Sequence, residues 1–185
     1  MKIIFLASLM IKLTFQIKWG SCPTPTRKAS FDKAQFIGIW YDSRRYKNVP
    51  WETRDCPQVK YTSRSDGKLT AFNSQYSISN DKYYDTTGTL DFTDGAKGTM
   101  TKSNWINGDF QVLDTDYTGY AIIYSCNKFL WFWRAENAWI FTRTKPATVA
   151  NLDNYFTILN GKVDSFASGD FKDPNQSVSC KYLSS

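Results

Sequence analysis

The sequence predicts an all-β domain of eight antiparallel strands followed by one helix, built either as an up-and-down barrel or as a sandwich. Short runs rich in aromatic and β-branched residues alternate with turn residues between positions 37 and 144. The apolar spacing then becomes helical after Pro146. The length of 185 residues suits a single domain with one core. Seven Trp, eleven Tyr and thirteen Phe suit either a β-rich core or a pocket for a flat ligand.

The strands follow one another through short connections. We predict them near residues 37–46, 57–64, 68–78, 83–92, 98–105, 109–115, 119–127 and 135–144. Turn residues such as Asn107-Gly108 and Thr118-Gly119 separate them. Alternation does not decide which side chains of strand 68–78 point inward. The two alternatives are Phe72, Ser74 and Tyr76 or Ala71, Asn73 and Gln75.

One amphipathic helix is expected after the strands. Its apolar residues, at helical spacing, are Val149, Leu152, Phe156 and Leu159. Thr148 is a suitable N-cap, and Gly161 is a suitable end. Such a helix must lay its apolar face on the outside of the sheet.

The N-terminus has the pattern of a secretory signal peptide over residues 1–21. A Met-Lys start precedes the apolar run 3–11, and small residues at Gly20 and Ser21 suit cleavage. The run is too short to span a membrane, and no later segment is long enough either. Cleavage would remove three Lys and leave 20 basic against 17 acidic residues, so the net charge falls from +6 to +3. We therefore expect a secreted, extracellular domain at 22–185 without a nucleic-acid partner.

The four cysteines predict disulfides, because an even number in a secreted chain is typical of them. The spacing of Cys22, Cys56, Cys126 and Cys180 leaves three pairings open. The sequence has no His and no Cys-x-x-Cys pair, which argues against a metal site. The sequon at Asn175 is a candidate glycosylation site.

Three short blocks carry a family resemblance. They are Gly38-Ile39-Trp40-Tyr41, the run from Thr115-Asp116-Tyr117 to Cys126, and Arg143 after Ala138-Trp139-Ile140-Phe141-Thr142. In this order they resemble the signature blocks of the lipocalin family, and most of all the group of apolipoprotein D, the bilin-binding proteins and the crustacyanins. The resemblance extends from about Cys22 to Cys180. It implies an eight-stranded antiparallel up-and-down lipocalin barrel, with one C-terminal α-helix packed outside.

The resemblance also assigns structural roles. Gly38 and Trp40 would form the closed floor of the barrel, with Arg143 lying on the indole. Asp116 and Tyr117 would make the tight turn at the same end. The family pairing implies the disulfides Cys22–Cys126 and Cys56–Cys180. These residues would stabilise the barrel rather than contact a ligand.

The ligand site is then expected in the cup above this floor. Alternation from Arg143 turns Phe141, Trp139 and Asn137 inward, and alternation from Trp40 turns Asp42, Arg44 and Tyr46 inward. A buried Arg44 needs a partner, either Asp42 or a ligand carboxylate. The connections at the open end contain Trp51, Trp105, Trp131 and Trp133. These four form either an aromatic gate or part of the barrel wall.

The expected function is carriage of a small hydrophobic ligand. The ligand would be a biliverdin-like tetrapyrrole, a carotenoid, a retinoid or a lipid, and the resemblance favours a pigment. Catalysis is not expected, because no His can serve as a base and all four cysteines fit disulfide positions. No catalytic cofactor is expected. The alternative is a protein-interaction or self-assembling module that forms a homo-oligomer through the barrel mouth, where 129–133 is apolar on both faces.

Overall fold

The computed structural model describes residues 17–47, 49, 52–102, 106–129 and 131–182. Its helices and strands, in chain order, are β1 Ile17–Trp19, α1 Lys33–Phe36, β2 Gly38–Tyr46, β3 Asp55–Ser63, β4 Leu69–Ser77, β5 Lys82–Asp94, β6 Lys97–Lys102, β7 Ile106–Thr115, β8 Tyr120–Phe129, β9 Trp133–Thr142, α2 Val149–Lys162 and β10 Phe171–Lys172.

Strands β2 to β9 form a closed antiparallel barrel. Each pairs with the next, and β9 pairs back onto β2. This confirms the eight predicted strands and selects the barrel over the sandwich. Closure satisfies the hydrogen-bonding edges that an open sheet would leave exposed. The short strands β1 and β10 extend the pairing, on β9 and β2 respectively.

The pairing of β3 with β4 decides which face of β4 lines the interior. Tyr61, which packs against Phe36 in the core, lies opposite Ala71, and Val59 lies opposite Asn73. Ala71, Asn73 and Gln75 therefore face inward. The other set faces outward, as the hydroxyl of Tyr76 shows by donating to Asp81.

The single long helix packs outside the barrel, as predicted. The Thr148 hydroxyl accepts a hydrogen bond from the backbone N–H of Asn151, and thus caps the first turn. Leu152 and Leu159 are buried against the barrel. The helix continues through Gly161 to Lys162, so its end lies one residue beyond the predicted one.

A short helix that was not among the predicted elements, α1, closes the bottom of the barrel. Asp32 caps α1 by accepting hydrogen bonds from the backbone N–H groups of Ala34 and Gln35. Phe36, fully buried, packs its ring against Trp40 and Tyr61. The sequence signal was present as Asp32 followed three residues later by Gln35, which resembles a capping box.

Two disulfides fasten the ends of the domain to the barrel. Cys22 bonds to Cys126 in β8, and Cys56 in β3 bonds to Cys180. These are the pairings that the resemblance implies. The predicted signal peptide is untested: of it, the structure describes residues 17–21, which include β1. Among the described residues, no helix is long and apolar enough to cross a membrane.

Candidate ligand cavity

The floor of the barrel is a sealed stack of Trp40 and Arg143. Trp40 is fully buried, and its Nε1 donates to the carbonyl of Phe36 at 2.8 Å. The guanidinium carbon of Arg143 lies 3.6 Å from the Trp40 ring centre. Its nitrogens donate to carbonyls at 2.7 Å (Ile39), 2.8 Å (Ile37) and 3.1 Å (Tyr117). Burial lowers the pKa of Arg143 to about 10, so the group remains charged at neutral pH.

The backbone conformation beside this stack shows why Gly38, Asp116 and Tyr117 suit their positions. Gly38 has φ +107°, and a Cβ there would lie 2.9 Å from Nη1 of Arg143. A side chain at this position would therefore disturb the guanidinium. Asp116 Oδ1 accepts hydrogen bonds from the N–H groups of Gly119 at 2.7 Å and Tyr120 at 2.9 Å, and so fixes the turn. Tyr117 occupies the turn with φ +67°.

Above the floor the barrel encloses a cavity of about 860 Å³. This volume lies within the range of small-molecule sites, about 300–1,000 Å³. Trp139, Phe141 and Asn137 line the cavity, where alternation from Arg143 placed them. Other lining residues include Val59, Tyr61, Asn73, Gln75, Tyr84, Met100, Lys102, Phe110, Ile123 and Asn127. The wall thus combines aromatic and aliphatic side chains with polar and charged ones, among them Arg54, Gln58, Asp85 and Asp109.

The predicted inward positions of Arg44 and Tyr46 are wrong, because β2 contains a bulge. Asp42 lies opposite Phe141, but the next pair along the strands is Arg44 with Ile140. Ser43 is the extra residue, and it shifts the alternation by one position. Asp42 and Arg45 therefore face the interior, while Arg44 and Tyr46 face outward.

Both displaced residues hold outer elements on the barrel. Arg44 contacts neither Asp42 nor the cavity: its Nη1 lies 2.6 Å from Asp153 of α2, and its Nε lies 2.5 Å from Asp173. Hydrogen bonding to Asp173 raises the pKa of Arg44. Tyr46 packs against the rings of Phe166 and Phe171. A ligand carboxylate therefore has no partner at Arg44.

The bulge instead places an ionic network beside the cavity. Arg45 Nη1 lies 2.6 Å from Oδ2 of Asp42, and both side chains are buried. Arg45 Nε lies 3.5 Å from Oε2 of Glu52, which also accepts a hydrogen bond from Nε1 of Trp139 at 2.7 Å. Burial raises the pKa of Asp42, and Arg45 opposes this. Sequence alternation could not find Arg45, since nothing in the residue pattern marks the bulge.

The mouth differs from the predicted aromatic gate. Trp51 and Trp105 lie outside the described residues. Trp131 is 98% exposed, and Trp133 packs edge-on against Trp19 with ring centres 5.2 Å apart. Neither lines the cavity, so these two residues do not form the predicted aromatic gate in this structure, and their contact with a ligand stays a prediction. The reason is that β8 and β9 stay paired up to Phe129 and Trp133, which carries the hairpin tip beyond the cup.

Two further predictions concern glycosylation at Asn175 and metal binding. Asn175 is exposed, and its Oδ1 accepts a hydrogen bond from the N–H of Ser177 at 3.0 Å. Its glycosylation stays a prediction. Within the part of the chain that the structure describes, no group of three or more metal-ligating residues comes together.

A closed barrel around a cavity, sealed at one end, defines the class of small-ligand-binding β-barrels. Comparison with known proteins agrees with this class. A profile of the Lipocalin / cytosolic fatty-acid binding protein family matches residues 38–160. The chain therefore belongs to this family, whose members bind small hydrophobic molecules.

Three similar proteins show how far the likeness extends. Apolipoprotein D of Oryctolagus cuniculus is 28% identical over 159 residues, which cover 82% of each chain. The structure of insecticyanin from Manduca sexta has a TM-score of 0.76 at 22% identity, covering 90% of this chain and 92% of that one. Lobster apocrustacyanin A1 has a TM-score of 0.74 at 18% identity, covering 90% and 94%. The two structures establish the shared fold.

Proposed function

We propose that this protein is a secreted carrier that holds a small hydrophobic ligand inside its barrel. The observation that carries the proposal is the cavity of about 860 Å³ between the sealed floor and the mouth. The aromatic rings in its wall offer flat apolar surface, with Trp139 and Phe141 as the proposed main contacts. Asn137 would contribute a hydrogen bond to the same ligand.

The proposed ligand is a biliverdin-like tetrapyrrole, a carotenoid, a retinoid or a lipid. Resemblance to the bilin-binding group favours a pigment, which would be cargo rather than a catalytic cofactor. Two disulfides support an extracellular location, because such bonds persist in oxidising compartments. The signal pattern at 1–21 supports the same location.

Spectroscopy tests this proposal directly. A visible absorption band in protein purified from its source would indicate a bound pigment. Titration of the ligand-free protein with biliverdin, astaxanthin, retinol or a long-chain fatty acid should quench Trp emission at micromolar concentration, because Trp139 lines the cavity. Absence of quenching by all four compounds would contradict carriage.

A second candidate function, self-assembly, rests on the aromatic surface at the mouth. Trp131 and Phe132, at the hairpin tip, are 98% and 37% exposed. Exposed apolar clusters of this kind commonly mark interaction surfaces. If the protein forms homodimers through this surface, Trp131→Ser should shift them to monomers in sedimentation experiments and leave the cavity intact.

A further inference from the structure

The carboxyl group of Asp42 is an unusual feature of the cavity wall. Asp42 is 4% exposed and lines the cavity, two residues beyond Trp40 of the floor. Its Oδ2 accepts a hydrogen bond from Arg45 at 2.6 Å. Its Oδ1 is buried and has no hydrogen-bond partner among the described residues. A buried acceptor without a partner costs free energy, which a donor on a ligand would remove.

Among the described residues, no neighbour of Asp42 donates to its Oδ1. Arg45 directs Nη1 to Asp42 and Nη2 to the Glu52 carbonyl, and its Nε lies 3.5 Å from Glu52 Oε2. The indole N–H of Trp139 also donates to Glu52. Among the described buried atoms, Arg45 Nε and the amide of Gln58, which also lines the cavity, lack a hydrogen-bond partner as well, but the charged acceptor left for a ligand is Oδ1 of Asp42.

A ligand carboxylate is poorly suited to the same place. It would meet the carboxylates of Asp42 and Glu52, with Arg45 already shared between them. Lys172, a further nearby cation, is exposed on β10, where water screens its charge. Like charges at short range in a buried site repel strongly. The chemistry therefore favours an O–H or N–H group and opposes an acid.

We propose that Asp42 is a specificity-determining residue, which selects hydrophobic ligands that carry a hydroxyl or N–H donor at their buried end. This inference deepens the proposed function and rests on it. It excludes simple fatty acids bound with the carboxylate at the floor.

Three retinoids that share one apolar skeleton test the selection. Retinol carries a donor, retinyl methyl ether keeps the oxygen but cannot donate, and retinoic acid presents a carboxylate. Kd values from Trp quenching at pH 7.5 should be about ten-fold lower for retinol than for the ether or the acid, as expected for one well-placed hydrogen bond. The ether is the essential comparison, because any apolar cavity disfavours an acid.

Asp42→Asn provides the matched variant. Arg45 can only donate, so the amide oxygen must remain toward Arg45 and the amide NH₂ must turn to the cavity. The site then offers a donor instead of an acceptor, and the advantage of retinol over its methyl ether should disappear. Asp91→Asn is the control, since it removes the same charge from a surface pair with Lys68 and should preserve the ten-fold ratio.

The outcomes separate this inference from the carrier proposal. Equal binding of retinol and its ether by the unmodified protein would overturn the donor selection while leaving carriage intact. Persistence of the preference in a folded Asp42→Asn variant would overturn the role of Asp42. If the variant does not fold, the comparison of the two ligands on the unmodified protein decides. Failure of all three retinoids and of a hydrophobic dye to bind would overturn carriage and the inference together.

Discussion

The two ends of this barrel differ in how they use their aromatic residues. At the floor, Trp40 and Phe36 are fully buried and Arg143 stacks on the indole. At the mouth, Trp131 projects into solvent. The floor is therefore a rigid plug that stabilises the fold, whereas the cavity above it owes its chemistry to Asp42, Arg45 and Glu52. The family motif marks the first region and says little about the second.

The largest expected effect is on the free energy of unfolding, and it compares the floor with the mouth. Trp40→Ala should lower the free energy of unfolding by about 4 kcal/mol, because it leaves a large void under the half-buried guanidinium of Arg143. Trp131→Ala is the matched change at the mouth and should alter it by less than about 0.5 kcal/mol. Urea denaturation of both variants measures the two values. Similar losses would mean that the ends do not differ as described.

The next effect concerns Arg143, which stacks on Trp40 at the floor. Arg143→Lys should lower the free energy of unfolding by about 2 kcal/mol, since an ammonium cannot stack on Trp40 while serving several carbonyls. The retinol affinity of the folded variant should stay unchanged. A large affinity loss without a change in melting temperature would show that the floor contacts the ligand.

A smaller effect is expected for Trp139 in the cup. Trp139→Phe should weaken ligand binding by about 1–2 kcal/mol, because it removes part of the apolar wall and the hydrogen bond to Glu52. Trp131→Phe, at the exposed hairpin tip, should leave affinity unchanged. The comparison uses ligand absorbance or calorimetry, so that the loss of an indole does not affect the signal. Equal losses of ligand affinity in the two variants would indicate that Trp131 contacts the ligand.

The smallest effect is a pH dependence on the floor side. Tyr120 stacks on Tyr155 of α2 with ring centres 4.3 Å apart, and burial raises the pKa of Tyr120 to about 12. The neutral phenol is thus favoured in the folded state, and its contribution to stability is lost as pH rises from about 10, the usual tyrosine pKa, toward 12. Tyr120→Phe should lose less stability than the unmodified protein between pH 9 and pH 11.5 in urea titrations. Equal losses of stability in the variant and the unmodified protein would contradict the raised pKa of Tyr120.

The sequence predicted much of the fold, because the barrel follows from local patterns. Turn residues bounded the strands, and Thr148 marked the start of α2. The family blocks located the floor and the disulfides. Alternation also placed Trp139 and Phe141 correctly, since β9 pairs with β8 without a register shift from Thr142 to Trp133.

The errors arose where the backbone departs from regular pairing. The bulge at Ser43 sends Arg44 outward and Arg45 inward, and no residue type announces it. Glu52 approaches the cup from a connection between strands, where alternation does not apply. The position of Trp131 depended on how far β8 and β9 stay paired, and this length is a property of the hairpin rather than of any single residue.

The bulge also has a consequence for engineering the cup. In β2 it acts like a one-residue insertion. Beyond Ser43, the side chains that regular alternation would turn inward face outward, and their neighbours face inward. A mutant library built on plain alternation would randomise positions 44 and 46. It would then break the attachments of Arg44 to Asp153 and Asp173 while leaving ligand choice almost untouched. Redesign of binding on this strand should vary positions 42 and 45, and deletion of Ser43 should restore regular alternation with Arg44 still outward and Arg45 still inward.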